Sequence, residues 1–173
     1  KKLASLPQRK VYYAEIALGL QTETWDLEAK HFTLHPCPKV SEKEVCEVLK
    51  EFEGEIRQVV PLFSAKKIKG KKLYELARAG KKLAELPRKK VKIYRIEFLG
   101  KEEKIVPLLK EKKKLPVIKL RVVCGKGTFI RSLAYELGEK LKTSGTLIKL
   151  VREEEGGFKK DDCYDLSALE SLR

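Results

Sequence analysis

The chain has 173 residues, with 39 Lys and Arg against 25 Asp and Glu, a formal net charge of +14. That balance points to a polyanionic partner, nucleic acid ahead of a membrane surface. No apolar run approaches the ~18 residues that span a bilayer, and no apolar stretch follows a basic N-terminus, so no membrane partner and a cytoplasmic location are expected.

In chain order, Val11 to Leu18 alternates, with Tyr12, Ala14, Ile16 and Leu18 on one face and Gly19 ending the strand. Ser41 and Glu44 have capping-box spacing, and Val45, Val48, Leu49 and Phe52 recur at i, i+3, i+4 and i+7, which predicts a helix over Ser41 to Phe52. Lys71 to Ala79 reads as a short helix stopped by Gly80, and Val91 to Leu99 as a strand. The mostly charged stretch Lys101 to Lys114 reads as a solvated loop or a hairpin tip. Val117 to Val123 is rich in β-branched residues and predicts a strand, followed by a helix carrying Ile130, Leu133, Leu137 and Leu141. Leu166 to Leu172 predicts a last helical turn or two. One domain of α+β class is expected, since the connections are too short for regular crossover units.

Cys37, Cys46, Cys124 and Cys163 are widely spaced without a Cys-x-x-Cys pair, so they read as ordinary thiols, with neither a metal site nor a disulfide framework. The chain has no Met and no Asn, only Gln8, Gln21 and Gln58 as glutamines, and 37% charged residues, a composition typical of a thermophile. A chain that starts at Lys1 is expected to be either processed or a piece of a longer polypeptide.

Two segments could carry chemistry. The first runs from Phe52 to Gly80 and includes Lys66, Lys67, Lys69, Lys71 and Lys72 interleaved with Phe63 and Tyr74, which suits a phosphate backbone with a stacked base or, equally, a solvated basic face. The second is Cys124-Gly125-Lys126-Gly127-Thr128-Phe129-Ile130-Arg131, a strand end opening into a helix. It places Arg131 in the first helical turn, where the helix dipole disfavours a cation. A surface pairing with a nearby Glu is one explanation, and a functional carboxylate is another.

These segments, together with Leu133, Ala134 and Leu137-Gly138, the later Leu147 to Phe158 segment, and Tyr12 to Ile16 leading through Leu18-Gly19 to Thr22, Thr24 and Asp26-Leu27-Glu28, resemble the TruB family of tRNA pseudouridine synthases. The resemblance covers nearly the whole chain. It implies the pseudouridine synthase fold, a mixed, mainly antiparallel sheet flanked by helices. It also implies conversion of the T-loop uridine of tRNA to pseudouridine without a cofactor or a metal, by flipping the base out of the loop and attacking with an aspartate.

By the same resemblance, Tyr12 matches the tyrosine that packs on the flipped base and aids proton transfer, and Arg131 matches the arginine that pairs with the catalytic aspartate. Phe129 stands at an aromatic position more often tyrosine, Leu150 matches an apolar residue of the same pocket, and Lys67 matches a basic residue near the site. Val60 stands where a second proline is usual and Val151 where an arginine is common. The family's nucleophilic aspartate lies in a glycine-containing loop upstream of the tyrosine strand, whereas the aspartates here are Asp26, Asp161, Asp162 and Asp165, of which Asp26 matches a different family position. The expectation is therefore a catalytic domain over residues 1–173, incomplete at its N-terminus and without a C-terminal PUA-type domain, whose nucleophile comes from another segment. A non-catalytic basic RNA-binding module of the same fold is the alternative.

Overall fold

A computed structural model describes residues 9–64, 67–68, 71–72, 86–109 and 111–159. Its centre is a six-stranded sheet ordered β10 (Phe158–Lys159), β9 (Gly145–Glu155), β1 (Lys10–Leu18), β8 (Glu111–Cys124), β7 (Arg88–Leu108), β4 (Gly54–Val59), in which every neighbouring pair is antiparallel. A parallel bridge joins Asp26 to Leu147 outside the named strands. Two short pairs, β2 (Leu20–Thr22) with β3 (Phe32–Leu34) and β5 (Lys67–Ile68) with β6 (Lys71–Lys72), form separate two-stranded sheets. Among the described residues there are two helices, α1 (Glu42–Lys50) and α2 (Ile130–Lys140), and no helix is long and apolar enough to cross a membrane.

β1 runs through the middle, paired with β8 on one side and β9 on the other, so both of its edges are hydrogen-bonded. Its even positions Tyr12, Ala14, Ile16 and Leu18 join the main core with Leu120 and Val122 of β8, Val45 and Leu49 of α1, and Ile130, Leu133 and Leu137 of α2. The opposite face carries a smaller cluster of Ala17, Leu20, Val106, Leu108 and Val117 at one end. Elsewhere that face holds ion pairs: Glu15 meets Lys104 at 2.7 Å, Lys119 meets Glu102 at 2.8 Å, and Arg121 meets Glu153 at 2.8 Å.

The capping box on α1 is formed: Ser41 Oγ accepts from the Glu44 N–H, and the Glu44 carboxylate accepts from the Ser41 N–H. Val45 and Leu49 are buried as the spacing requires. The charged stretch 101–114 is not a loop. It continues β7 and β8 as paired arms, with Leu108 opposite Glu111, because an antiparallel ladder satisfies the backbone while alternate charged side chains stay in water. Lys71 and Lys72 lie in β6, so no helix begins there; the remainder of the expected helix, and the one expected over 166–172, lie outside the described residues.

Helix α2 is seated on β9 by two glycines. A Cβ on Gly138 would lie 2.2 Å from the Gly145 nitrogen, and one on Gly145 would lie 2.1 Å from the Ala134 carbonyl oxygen. Only backbone against backbone fits there, and this approach fixes where the N-terminal turn of α2 falls.

Candidate active site

The loop from β8 to α2 turns through Gly127, which has φ of +77°, a conformation that costs glycine little. Phe129 then caps α2 without a side-chain cap bond. The cap is supplied by Gln58 of β4, fully buried, whose amide oxygen accepts from the Phe129 N–H at 2.9 Å while its NH2 donates to the Phe129 carbonyl at 2.9 Å. Ser132 Oγ donates to the Val59 carbonyl at 2.6 Å, and the Val59 N–H donates to the Glu136 carboxylate at 3.3 Å. Burial pushes the Glu136 carboxyl above the usual range, against the Val59 N–H and the Arg88 and Lys140 charges that favour its ionised form. The end of β4 and the start of α2 are thus stitched by four polar contacts, so the backbone that carries Arg131 is held firmly.

Arg131 sits in the first turn of α2, as its sequence position requires. Its Nη1 donates to Asp26 Oδ2 at 3.0 Å and to the Thr24 carbonyl at 3.2 Å, and its Nη2 donates to the Phe63 carbonyl at 2.9 Å. The partner is an aspartate 105 residues away rather than a neighbouring Glu, and it offsets the unfavourable dipole. Asp26 is itself well held: Oδ1 accepts from Thr24 Oγ1 at 2.6 Å and from the Glu28 N–H at 3.1 Å, and its carbonyl accepts from Thr22 Oγ1 at 2.9 Å. Its carboxylate is committed to this network. Among the described residues, the Arg131 Nε–H and one Nη2 hydrogen retain no such acceptor, so the fork has donors to offer a further anion.

Tyr12 is buried on the helix face of β1, opposite Val122 and Arg152. The Arg152 guanidinium lies 5.5 Å from its ring centroid, so one ring face is already covered. Arg152 also pairs with Glu155. Leu150 stands opposite Ala14, two residues along the same face from the Tyr12–Arg152 pair, and is exposed. Phe129 is half-buried, with the Lys89 ammonium 6.0 Å from its ring centroid and 3.4 Å from the Gly127 carbonyl. The side chain of Lys67 lies outside the described residues. Tyr12 and Ile130 share one core cluster, which brings the tyrosine strand and the arginine helix together.

Asp26 as the partner of Arg131, Arg152 over Tyr12, and Gln58 as the α2 cap were not legible beforehand. The Thr22-x-Thr24-x-Asp26 run, with hydroxyls on alternate residues ahead of a carboxylate, was the available signal for the first of these. Among the described residues, no three His, Cys, Asp or Glu side chains are grouped as a metal would need.

The TruB family pseudouridylate synthase (N terminal domain) model matches residues 2–130. A tRNA pseudouridine synthase B from Dehalococcoides mccartyi is 41% identical over 163 residues, covering 94% of this chain and 50% of its own length. The protein of the same name from Microcystis aeruginosa is 42% identical over 167 residues, 96% of this chain and 54% of its own. Among solved structures, a chain of a Cbf5-Nop10-Gar1 complex aligns with a TM-score of 0.55 and 27% identity, over 91% of this chain and 33% of that one. The chain spans about half the length of the curated relatives it matches. The family model matches three quarters of the chain and the relatives align over nearly all of it, so the chain belongs to the TruB family of pseudouridylate synthases.

Proposed function

We propose that this chain is the larger part of the catalytic domain of a tRNA pseudouridine synthase that isomerises the T-loop uridine of tRNA. The reaction breaks the glycosidic bond to N1 of uracil and forms one to C5; the proton on C5 leaves and N1 gains one, so no atom is gained or lost. A flipped base must be held while it turns, and a carboxylate must stay ionised to act. Arg131 carries this reading: its guanidinium is fixed by Asp26 and two carbonyls, and among the described residues its Nε–H and one Nη2 hydrogen have no acceptor, which suits a second carboxylate. That carboxylate is the nucleophile, supplied by a segment outside this chain. Tyr12 forms the wall of the uracil pocket, with Phe129, Leu150 and Lys67 as further contacts to the RNA. The net charge of +14 suits the T-arm as partner.

The second reading is a basic RNA-binding module of the same fold without catalysis, favoured by the commitment of Asp26 to Arg131. Mass-based pseudouridine detection separates the two. tRNA is incubated with this chain alone and with the polypeptide extended upstream of Lys1. The expected result is tRNA binding by both and product only with the extension; no product with either leaves the binding module. In the active form, Arg131→Lys keeps the charge but loses the fork, so turnover falls about 100-fold, the cost of a small misplacement at the reacting groups, while tRNA affinity stays within about threefold. Equal loss of both would make Arg131 a phosphate contact instead.

A further inference from the structure

Trp25, the sole tryptophan, is buried and adopts φ of +63°, a left-handed conformation that a bulky residue rarely takes. Its indole stacks on the Tyr135 ring with centroids 4.4 Å apart and planes 10° from parallel. Tyr135 is four residues after Arg131 on α2, and Trp25 immediately precedes Asp26, so two adjacent residues of one turn dock on two positions of one helix face. In an extended chain neighbouring side chains point to opposite sides. The left-handed residue is what lets the indole and the carboxylate both face α2.

A left-handed tryptophan is strained backbone that persists only where its surroundings over-determine it. The Asp26–Arg131 pair, with side chains 17% and 25% exposed, ties the carboxylate to α2, and the near-parallel stack buries the indole beside it, so the turn is held to α2 at two adjacent residues. The far side of the turn is tied by the Leu147 N–H donating to the Trp25 carbonyl at 3.0 Å, so on the α2 side releasing the indole leaves the Arg131 contacts to Asp26 and to the Thr24 carbonyl to hold the turn.

We infer that the Trp25–Tyr135 stack is a positioning element of the site, holding the turn so that Asp26 orients the Arg131 guanidinium toward the reacting carboxylate. This rests on the pseudouridine synthase reading above. Tyr135 and Trp25 touch no substrate in this scheme; they act through Asp26.

The test uses the active, upstream-extended enzyme and four substitutions. Tyr135→Ala removes the ring, Tyr135→Phe keeps the stack without the hydroxyl, Leu49→Ala lowers stability in α1 away from the site, and Asp26→Ala is combined with Tyr135→Ala. Two readouts are taken: single-turnover rate against tRNA affinity, and acrylamide quenching of Trp25 fluorescence. The expected result for Tyr135→Ala is a rate at least about tenfold lower with tRNA affinity within about twofold, and greater quenching of Trp25. Tyr135→Phe restores both, Leu49→Ala matches the loss of Tm without the loss of rate, and Tyr135→Ala adds nothing to Asp26→Ala. A Tyr135→Ala rate within about twofold of the parent, a loss no larger than that of Leu49→Ala, or full additivity with Asp26→Ala each overturns the inference. If the parent enzyme makes no pseudouridine, the functional reading fails, and unchanged Trp25 quenching in Tyr135→Ala separately overturns the claim that the stack holds the turn.

Discussion

The proposed function gives Tyr12 two roles, stacking and proton transfer, and the covering guanidinium of Arg152 adds a condition to both: a flipped base would reach the ring only at its free face or by displacing Arg152. Tyr12→Phe keeps the stacking surface and removes the hydroxyl, whereas Tyr12→Leu removes the aromatic face, worth about 1 to 3 kcal/mol per stacked base. Proton transfer by a positioned side chain contributes about 100-fold to 10,000-fold. A drop of that order in the single-turnover rate of Tyr12→Phe, with tRNA affinity preserved, is the expected outcome. Normal turnover in both variants would reduce Tyr12 to a core tyrosine. Its place on the apolar face was legible from the alternation of β1, but its cover was not, because Arg152 reaches it only through the β1–β9 register.

At the scale of elements, the proposed function requires α2 to hold Arg131 in place, and Gly138 is where the helix can be displaced most simply. Alanine there gains about 1 kcal/mol of helix propensity. Its Cβ would meet the Gly145 nitrogen at 2.2 Å, a backbone atom that no rotamer change moves aside. Overpacking of this kind costs about 3 kcal/mol, so Gly138→Ala is expected to lose about 2 kcal/mol net in denaturant unfolding and to lower turnover as α2 lifts from β9. Unchanged stability would mean that the helix shifts freely and does not set the site. The glycine was visible in the sequence as part of Leu137-Gly138, but the physical reason lies in a partner strand and not in the helix.

The outer face of the sheet gives a pH dependence. Glu15 is buried; its desolvation raises its carboxyl, but hydrogen bonds from Lys104 and Tyr13 and the charges of Lys104 and Lys149 outweigh this and hold it below the usual range. A carboxyl depressed in the folded state stabilises fully above its unfolded value of about 4.3, and that contribution is lost as pH falls through the lower folded value. Glu15→Gln is expected to cost about 1 to 3 kcal/mol at neutral pH and to flatten the acid limb of the stability curve below about pH 4. The same acid slope in both proteins would remove Glu15 as its source.

For the whole chain, the net charge of +14 bears on how the proposed RNA partner is met. A protein that neutralises about six phosphates loses about 1,000-fold in affinity between 50 and 200 mM salt. The expected log–log plot of tRNA binding against salt is linear and steep, and a slope near zero would locate the affinity in base contacts instead of backbone charge.

The sequence by itself determined the elements whose cause is local. The two-residue period of β1, the Ser41–Glu44 box and the 3.6-residue spacing of α2 each follow from neighbours a few positions apart, and they put Tyr12 on the apolar face and Arg131 in the first helical turn. It left open whether residues 101–114 were loop or hairpin, since exposed charge fits both and only pairing with β8 decides. Arg131 on Asp26, Trp25 on Tyr135 and Arg152 on Tyr12 were decided by tertiary structure alone. Each joins residues far apart in the chain whose meeting depends on strand register and on the seat of α2 against β9, and no local pattern encodes a register.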